Sequence, residues 1–278
     1  MVRPVALGKG LFKRGLRALG YDVRRVGTLQ HTPPSWVVWT GDYRHTERMA
    51  NRVYRPPELS GHPMPAGDDV RVKYLLYFMD FRGLRVLELG PRDGHITIML
   101  EKMGAREIVS IEGRRENLEE CLRAKDRYGL ETTTFYLGDI EELAAGTVEP
   151  SFTGTFDLVF CIGLLYHLSN PGPVLEWCRA QARQLFLQTH YVEEAALERY
   201  RAPDFRDDVY SYREQDYRAK LFHEEPGNVR SGLREWSVWL YEPDLLALIG
   251  RAGFGRVSVL GKDVHAGLPH ITILAEAS

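Results

Sequence analysis

The amino-acid sequence predicts an α/β protein built on a doubly wound, seven-stranded sheet. Three observations carry that expectation. From Arg85 onward, apolar runs of strand length alternate with amphipathic stretches of helical length. The first run, "RVLELG", passes through a glycine turn, "GPRDG", directly into a helical pattern. Acidic residues, Glu112 and Asp139, end the second and third runs. In a parallel sheet that is the edge where ligands bind.

The elements follow in order. Residues 1–30 suggest a short basic helix, with Leu7, Leu11, Phe12, Leu16 and Leu19 at roughly helical spacing and several glycines interrupting it. Residues 31–69 are rich in Pro, Gly and aromatics and read as an irregular arm, giving an N-terminal region of 1–69 and a main domain of 70–278. "VRVKYLLYFMD" (70–80) reads as a helix. Strands are expected at "RVLELG", "EIVSIE" (107–112), "TTTFYLGD" (132–139), "FDLVFCI" (156–162) and "QLFLQTHY" (184–191), with helices between them. The stretch 192–240 is charged, aromatic and irregular, the character of a lid or substrate-recognition insertion. "EPDLLALIGRAGF" is a helix, and "RVSVLG" and "HITILAEA" are two closing strands.

Composition narrows the function classes. With 278 residues, 44% hydrophobic and 27% charged, the chain can bury a large core. A net charge of −2 argues against nucleic-acid binding driven by overall charge. The charge is uneven, however. Arg3, Lys9, Lys13, Arg14, Arg17, Arg24 and Arg25 face only Asp22 in the first thirty residues, a net of +6. Cys121, Cys161 and Cys178 have no metal-site spacing and read as buried thiols of a reducing compartment. No apolar run approaches the ~18 residues of a membrane span, and no secretory signal pattern is visible. The expected location is cytoplasmic.

The glycine turn excludes two common ligands. A dinucleotide fingerprint would need glycine at Arg92 and His95, and no G-K-[ST] follows for a phosphate loop. A cofactor without phosphates tolerates a side chain at the middle of the turn. Glu112 is placed to accept ribose hydroxyls, Asp139 to accept from an adenine amino group, and Glu88 to orient the loop or meet an ammonium. An adenosine carrying a charged amino acid satisfies all three.

On these residues the chain, over about 70–278, resembles the class I S-adenosylmethionine-dependent methyltransferases. It is most similar to the branch containing the tRNA wobble-uridine carboxymethyltransferase. "ELGPRDG" resembles their acidic, glycine-rich loop with Arg92 in place of the middle glycine. The resemblance implies a Rossmann-like sheet, mostly parallel with the last strand antiparallel. It also implies S-adenosylmethionine as cofactor, held by Glu88, Gly90, Pro91, Arg92, Asp93, Gly94, Glu112, Asp139 and Ile140. Cys161, Ile162, Gly163 and Leu164 would pass beneath its methionine portion.

Catalysis at an oxygen nucleophile needs a base, and His190, His167 and His223 are the candidates near the sheet's carboxyl rim or in the insertion. Tyr191, Tyr212, Trp236 and Trp239 are candidate acceptor contacts. The expected function is O-methylation of a small polar acceptor, a saccharide or glycosylated metabolite. The alternatives are a tRNA-modifying (carboxy)methyltransferase and a non-catalytic scaffold. In the scaffold reading, residues 1–26 dock on a partner or a membrane surface.

Overall fold

The structure, a computed structural model, describes residues 79–278 except 151, 201–204 and 266–267, together with two strands nearer the N-terminus. The chain divides into two compact units, 1–80 and 81–278. In the first, β1 (Asp22–Arg25) and β2 (Trp36–Trp39) pair antiparallel, with Asp22 opposite Trp39. The expected basic helix over 1–30 is therefore corrected at its end. "DVRR" is a strand opposite the β-branched and aromatic "WVVW", residue types that favour pleated structure. The rest of that helix, and the expected helix 70–80 up to residue 78, lie outside the described residues.

The second unit runs β3 (Arg85–Leu89), α1 (His95–Lys102), β4 (Glu107–Glu112), α2 (Arg115–Tyr128), β5 (Thr133–Leu137), α3 (Ile140–Ala144), β6 (Phe156–Ile162), α4 (Pro171–Gln181) and β7 (Ala182–His190). It continues with α5 (Glu194–Tyr200), β8 (Phe205–Tyr212), β9 (Gln215–His223), β10 (Trp236–Leu240), α6 (Glu242–Arg251), β11 (Arg256–His265) and β12 (Leu268–Glu276). Seven strands form one sheet in the order β11-β12-β7-β6-β3-β4-β5. Only β12 is antiparallel to its neighbours, β7 and β11; the pairs from β7 to β5 are parallel. This is the architecture the strand–helix alternation predicts. Covered on both faces, the central strands can be apolar without a break: Val86, Leu87, Leu89, Ile108, Leu158, Val159 and Leu185 are all buried. The winding starts at β3, runs out to β5 and restarts at β6 on the other side of β3. That reversal opens a crevice at the carboxyl ends of β3 and β6.

The insertion 192–240 is not irregular, which corrects the expectation. It contains α5 and a three-stranded antiparallel sheet, β10-β9-β8. Tyr212 pairs with Gln215 across a two-residue turn, Arg213–Glu214, both with left-handed backbone (φ 50° and 62°). Such turns suit the twist of a hairpin but are usually signalled by Asn or Gly, so Arg–Glu conceals it. The small sheet docks on α4. The Gly172 N–H donates to the Tyr210 hydroxyl at 2.8 Å, and that hydroxyl donates to Asn170 Oδ1 at 2.6 Å.

Candidate functional site

The crevice at the switch point is a cleft open to solvent whose floor comes from the tips of β3 to β6 and whose roof comes from residues 229–233 of the insertion. Its floor begins with the glycine turn. Gly90 (φ 68°) donates its N–H to the Ile111 carbonyl at 2.9 Å, and a Cβ there would meet Leu164 at 3.4 Å. Arg92 has φ 58°. The position thus keeps the left-handed backbone of a glycine loop although it carries a side chain, at a strain of about 1 kcal/mol. Gly94 (φ 76°) starts α1, and a Cβ there would lie 3.4 Å from Cys121 Cα of α2. Its job is helix packing behind the cleft.

Glu112 ties this turn to the second strand. Its Oε2 accepts from the Arg92 N–H at 3.0 Å, and its Oε1 accepts from the Arg114 N–H at 3.0 Å and from Asn117 Nδ2 at 3.3 Å. Burial pushes its carboxyl up, and these bonds only partly offset the shift. Asp139 caps α3 through Oδ1, accepting from the Glu141 N–H at 2.9 Å, while Oδ2 pairs with Arg234 at 2.6 Å. Glu88 has the partners that a buried charge demands: Thr97 Oγ1 at 2.6 Å and Ser110 Oγ at 2.5 Å both donate to its Oε2. Burial raises its carboxyl to about 6 despite them. Asp93 accepts from His95 Nδ1 at 2.6 Å. Burial opposes its ionisation, but the bonds and charge of His95 win and hold it at about 2.

Of the predicted cofactor residues, Gly90, Arg92, Glu112, Asp139, Ile140, Gly163 and Leu164 line the cleft. Glu88, Pro91, Asp93, Gly94, Cys161 and Ile162 are not among its lining residues.

The three histidines separate sharply. His167, on the 3-10 turn Leu165–His167 after β6, lines the cleft. Its Nδ1 is 2.8 Å from Oε1 of Glu224, a carboxylate with 1% of its side chain exposed. Ser237 Oγ also donates to that oxygen, at 2.7 Å; Ser231 Oγ and the Gly232 N–H donate to Oε2 at 2.5 and 2.7 Å. Burial works against the Glu224 charge. The bonds and charge of His167, with Ser231 and Gly232, outweigh it and hold the carboxyl below its ordinary range.

His190 is buried, stacks on Trp239 at 5.1 Å and shares its Nδ1 with the Pro269 carbonyl at 2.9 Å. His223 is exposed, edge-on to Trp236, with Glu235 at 3.7 Å. Neither lines the cleft.

The four predicted acceptor contacts are likewise placed elsewhere, and the reason is packing. Trp239 is enclosed by His190, Tyr166, Phe205 and Phe222. The Tyr212 hydroxyl donates to Glu176 of α4, Arg206 covers the Trp236 ring at 4.2 Å, and Tyr191 is buried. Aromatic residues in an insertion are equally suited to hold it down. The roles of Arg114, Asn117, Ser231, Gly232 and Arg234 carry no sequence signal, because the bonds Arg114–Gly232, Asn117–Val229 and Arg234–Asp139 span 118, 112 and 95 residues.

The cleft fits an adenosyl sulfonium. Ile111, Ile140, Leu164, Leu168 and Leu233 offer apolar surface to a planar ring, and Glu112 offers a carboxylate beside it. The methyltransferase domain family matches residues 80–220, just over half of the chain. The chain belongs to the methyltransferase domain family. Its domain is of the class I, S-adenosylmethionine-dependent type, with the sheet order and cleft described above. The N-terminal domain of EvdMO1, crystallised in the presence of SAH and D-fucose, superposes with a TM-score of 0.61 at 27% identity, covering 85% of this chain and 97% of that one. A tRNA U34 carboxymethyltransferase of Campylobacter hominis is 26% identical over 120 residues, 42% of this chain and 39% of that protein. A ubiquinone biosynthesis O-methyltransferase of Xanthomonas oryzae pv. oryzae is 28% identical over 133 residues, 46% of this chain and 52% of that protein. The chain thus matches about half, or less, of the length of these curated relatives. Among the described residues no helix is long and apolar enough to cross a membrane.

Proposed function

We propose that this methyltransferase domain methylates a hydroxyl of a small polar acceptor, a saccharide or glycosylated metabolite, with His167 as general base. The carrying observation is the His167–Glu224 pair at the cleft. When bound, S-adenosylmethionine supplies an electrophilic methyl group on a leaving group that departs neutral. The protein therefore has three tasks: to position, to exclude water and to take the hydroxyl proton. Glu224, ionised and held by three further donors, orients the imidazole through Nδ1 and leaves Nε2 to receive that proton. Glu112 and Asp139 hold the adenosine end, and residues 229–233 cover it from water. The D-fucose in the EvdMO1 crystals supports a sugar as acceptor. The name of the Campylobacter relative supports a second reading, with tRNA as acceptor.

The test is transfer of labelled methyl to a panel of free and glycosidically linked hexoses and to bulk tRNA. The proposal expects label on sugar oxygen, lost in His167→Gln while SAH binding persists. Label on tRNA alone, or a fully active His167→Gln, would overturn it.

A further inference from the structure

The residue pair at the base is connected to the cofactor cleft by a strap, residues 225–234. Glu225 to Arg230 are exposed, and the strap's attachments to the main sheet are polar. Arg114, two residues beyond Glu112, reaches three strap carbonyls: Nη1 donates to Pro226 at 2.7 Å, and Nη2 donates to Ser231 at 3.0 Å and Gly232 at 2.7 Å. Among the described residues no carboxylate forms an ion pair with this guanidinium. Asn117 Nδ2 is shared between Glu112 and the Val229 carbonyl, at 3.3 and 3.1 Å. Gly113 lets Leu233 approach; a Cβ there would lie 2.8 Å from Leu233 Cδ1. Each of these contacts closes the roof over the cleft.

The same strap residues complete the base. Ser231 and Gly232, whose carbonyls Arg114 holds, are the two donors to Glu224 Oε2. Gly232 also sits so close to the base that a Cβ would fall 2.6 Å from the His167 carbonyl oxygen. A continuous chain of contacts therefore runs Glu112, Arg114, Ser231–Gly232, Glu224, His167.

From this chain we infer that Arg114 is a positioning residue for the acceptor base: by latching the strap it sets the donors of Glu224, so His167 is oriented only beneath a closed cofactor roof. This rests on the reading of His167 as base. With Arg114 gone the strap loses three charge-assisted bonds, the Gly232 N–H no longer stays on Glu224, and the imidazole loses its fixed partner. A lysine could hold one carbonyl but not the fork of three.

Two measurements test this on the full chain. The first is hydrogen exchange at the Gly232 amide in cofactor-free protein. The Arg114→Ala protein should exchange at least about 10-fold faster there, Arg114→Lys should be intermediate, and core amides of β3 should be unchanged. The second is a double-mutant cycle on kcat at saturating cofactor and acceptor. Arg114→Ala should cost about 10-fold alone and nothing further in the His167→Gln background. Additive losses, or a loss confined to cofactor KM with kcat intact, would show a merely structural strap and overturn the inference. So would unchanged Gly232 exchange. Should Arg114→Ala not fold, Arg114→Lys and Arg114→Gln carry the same cycle. A fully active His167→Gln with accelerated Gly232 exchange in Arg114→Ala would sink the base but leave the latch, so the two failures are distinguishable.

Discussion

Strand β4 brings Glu112 to the floor of the cleft behind Ile108, Val109 and Ile111, all buried, in a parallel ladder with β3 and β5 on either side. The strap that roofs the same cleft is exposed from Glu225 to Arg230 and is held by side chains donating to its carbonyls. The floor draws its stability from apolar burial and backbone pairing, roughly 25 cal/mol for each Å² removed from water. The roof relies on a few polar bonds of about 1 kcal/mol each, or up to about 3 kcal/mol where charged. A floor of that kind keeps its shape with or without ligand. A roof of that kind opens more easily, and here it also supplies two of the donors that hold Glu224 beside His167.

The largest expected effect falls on His167, which follows β6 on the floor and whose partner Glu224 the roof helps to hold. His167→Gln should lower kcat about 10²–10⁴-fold with little change in melting temperature; a loss of fold, or no loss of rate, would erase the division of labour. On the floor, Glu112→Ala removes the acceptor for two backbone N–H groups and, on the proposed function, for a hydroxyl of the cofactor's ribose. Calorimetry should show SAH binding weakened by about 1.5–3 kcal/mol, and an unchanged affinity would remove Glu112 from the site.

A pH effect comes next. Burial raises the Glu88 carboxyl from 4.5 to about 6. Between those values the folded protein keeps a proton that the unfolded chain has released. Stability therefore falls by about 2 kcal/mol as pH rises through that window, and stays reduced above it. Denaturant melts at pH 4.5 and pH 7 should show this drop in the wild type and not in Glu88→Gln; parallel curves would contradict it. The smallest effect is at Arg92. Arg92→Gly relieves a left-handed side-chain-bearing residue but loosens the unfolded chain, so the expected gain is at most about 1 kcal/mol. A loss of stability in thermal melts would show that the side chain, not the backbone, matters there.

The inserted region shows where sequence reading stops. Alternation such as "FRDDVYSY" and "QDYRAKLFH" is strand-like, but the Arg213–Glu214 turn lacks the residues that announce a hairpin. Its aromatics looked like a sugar platform, whereas Trp239 and Tyr212 anchor the insertion. Asp139 was legible as an acid at a strand tip; that Arg234 would neutralise it was not. Among three histidines at plausible places, only the approach of Glu224 from 57 residues away distinguishes His167.

The seven-stranded alternation, the glycine turn, the acids at the strand tips and, through them, a phosphate-free nucleoside cofactor are all legible in the order of residues along the chain. These are local properties: periodicity, turn geometry and position along a strand are written in consecutive residues. Which histidine meets a carboxylate, that Arg114 is taken up by the strap, and which aromatics are walls instead of contacts emerge only from packing in three dimensions. Those depend on distances between residues far apart in the chain, and no spacing rule encodes them.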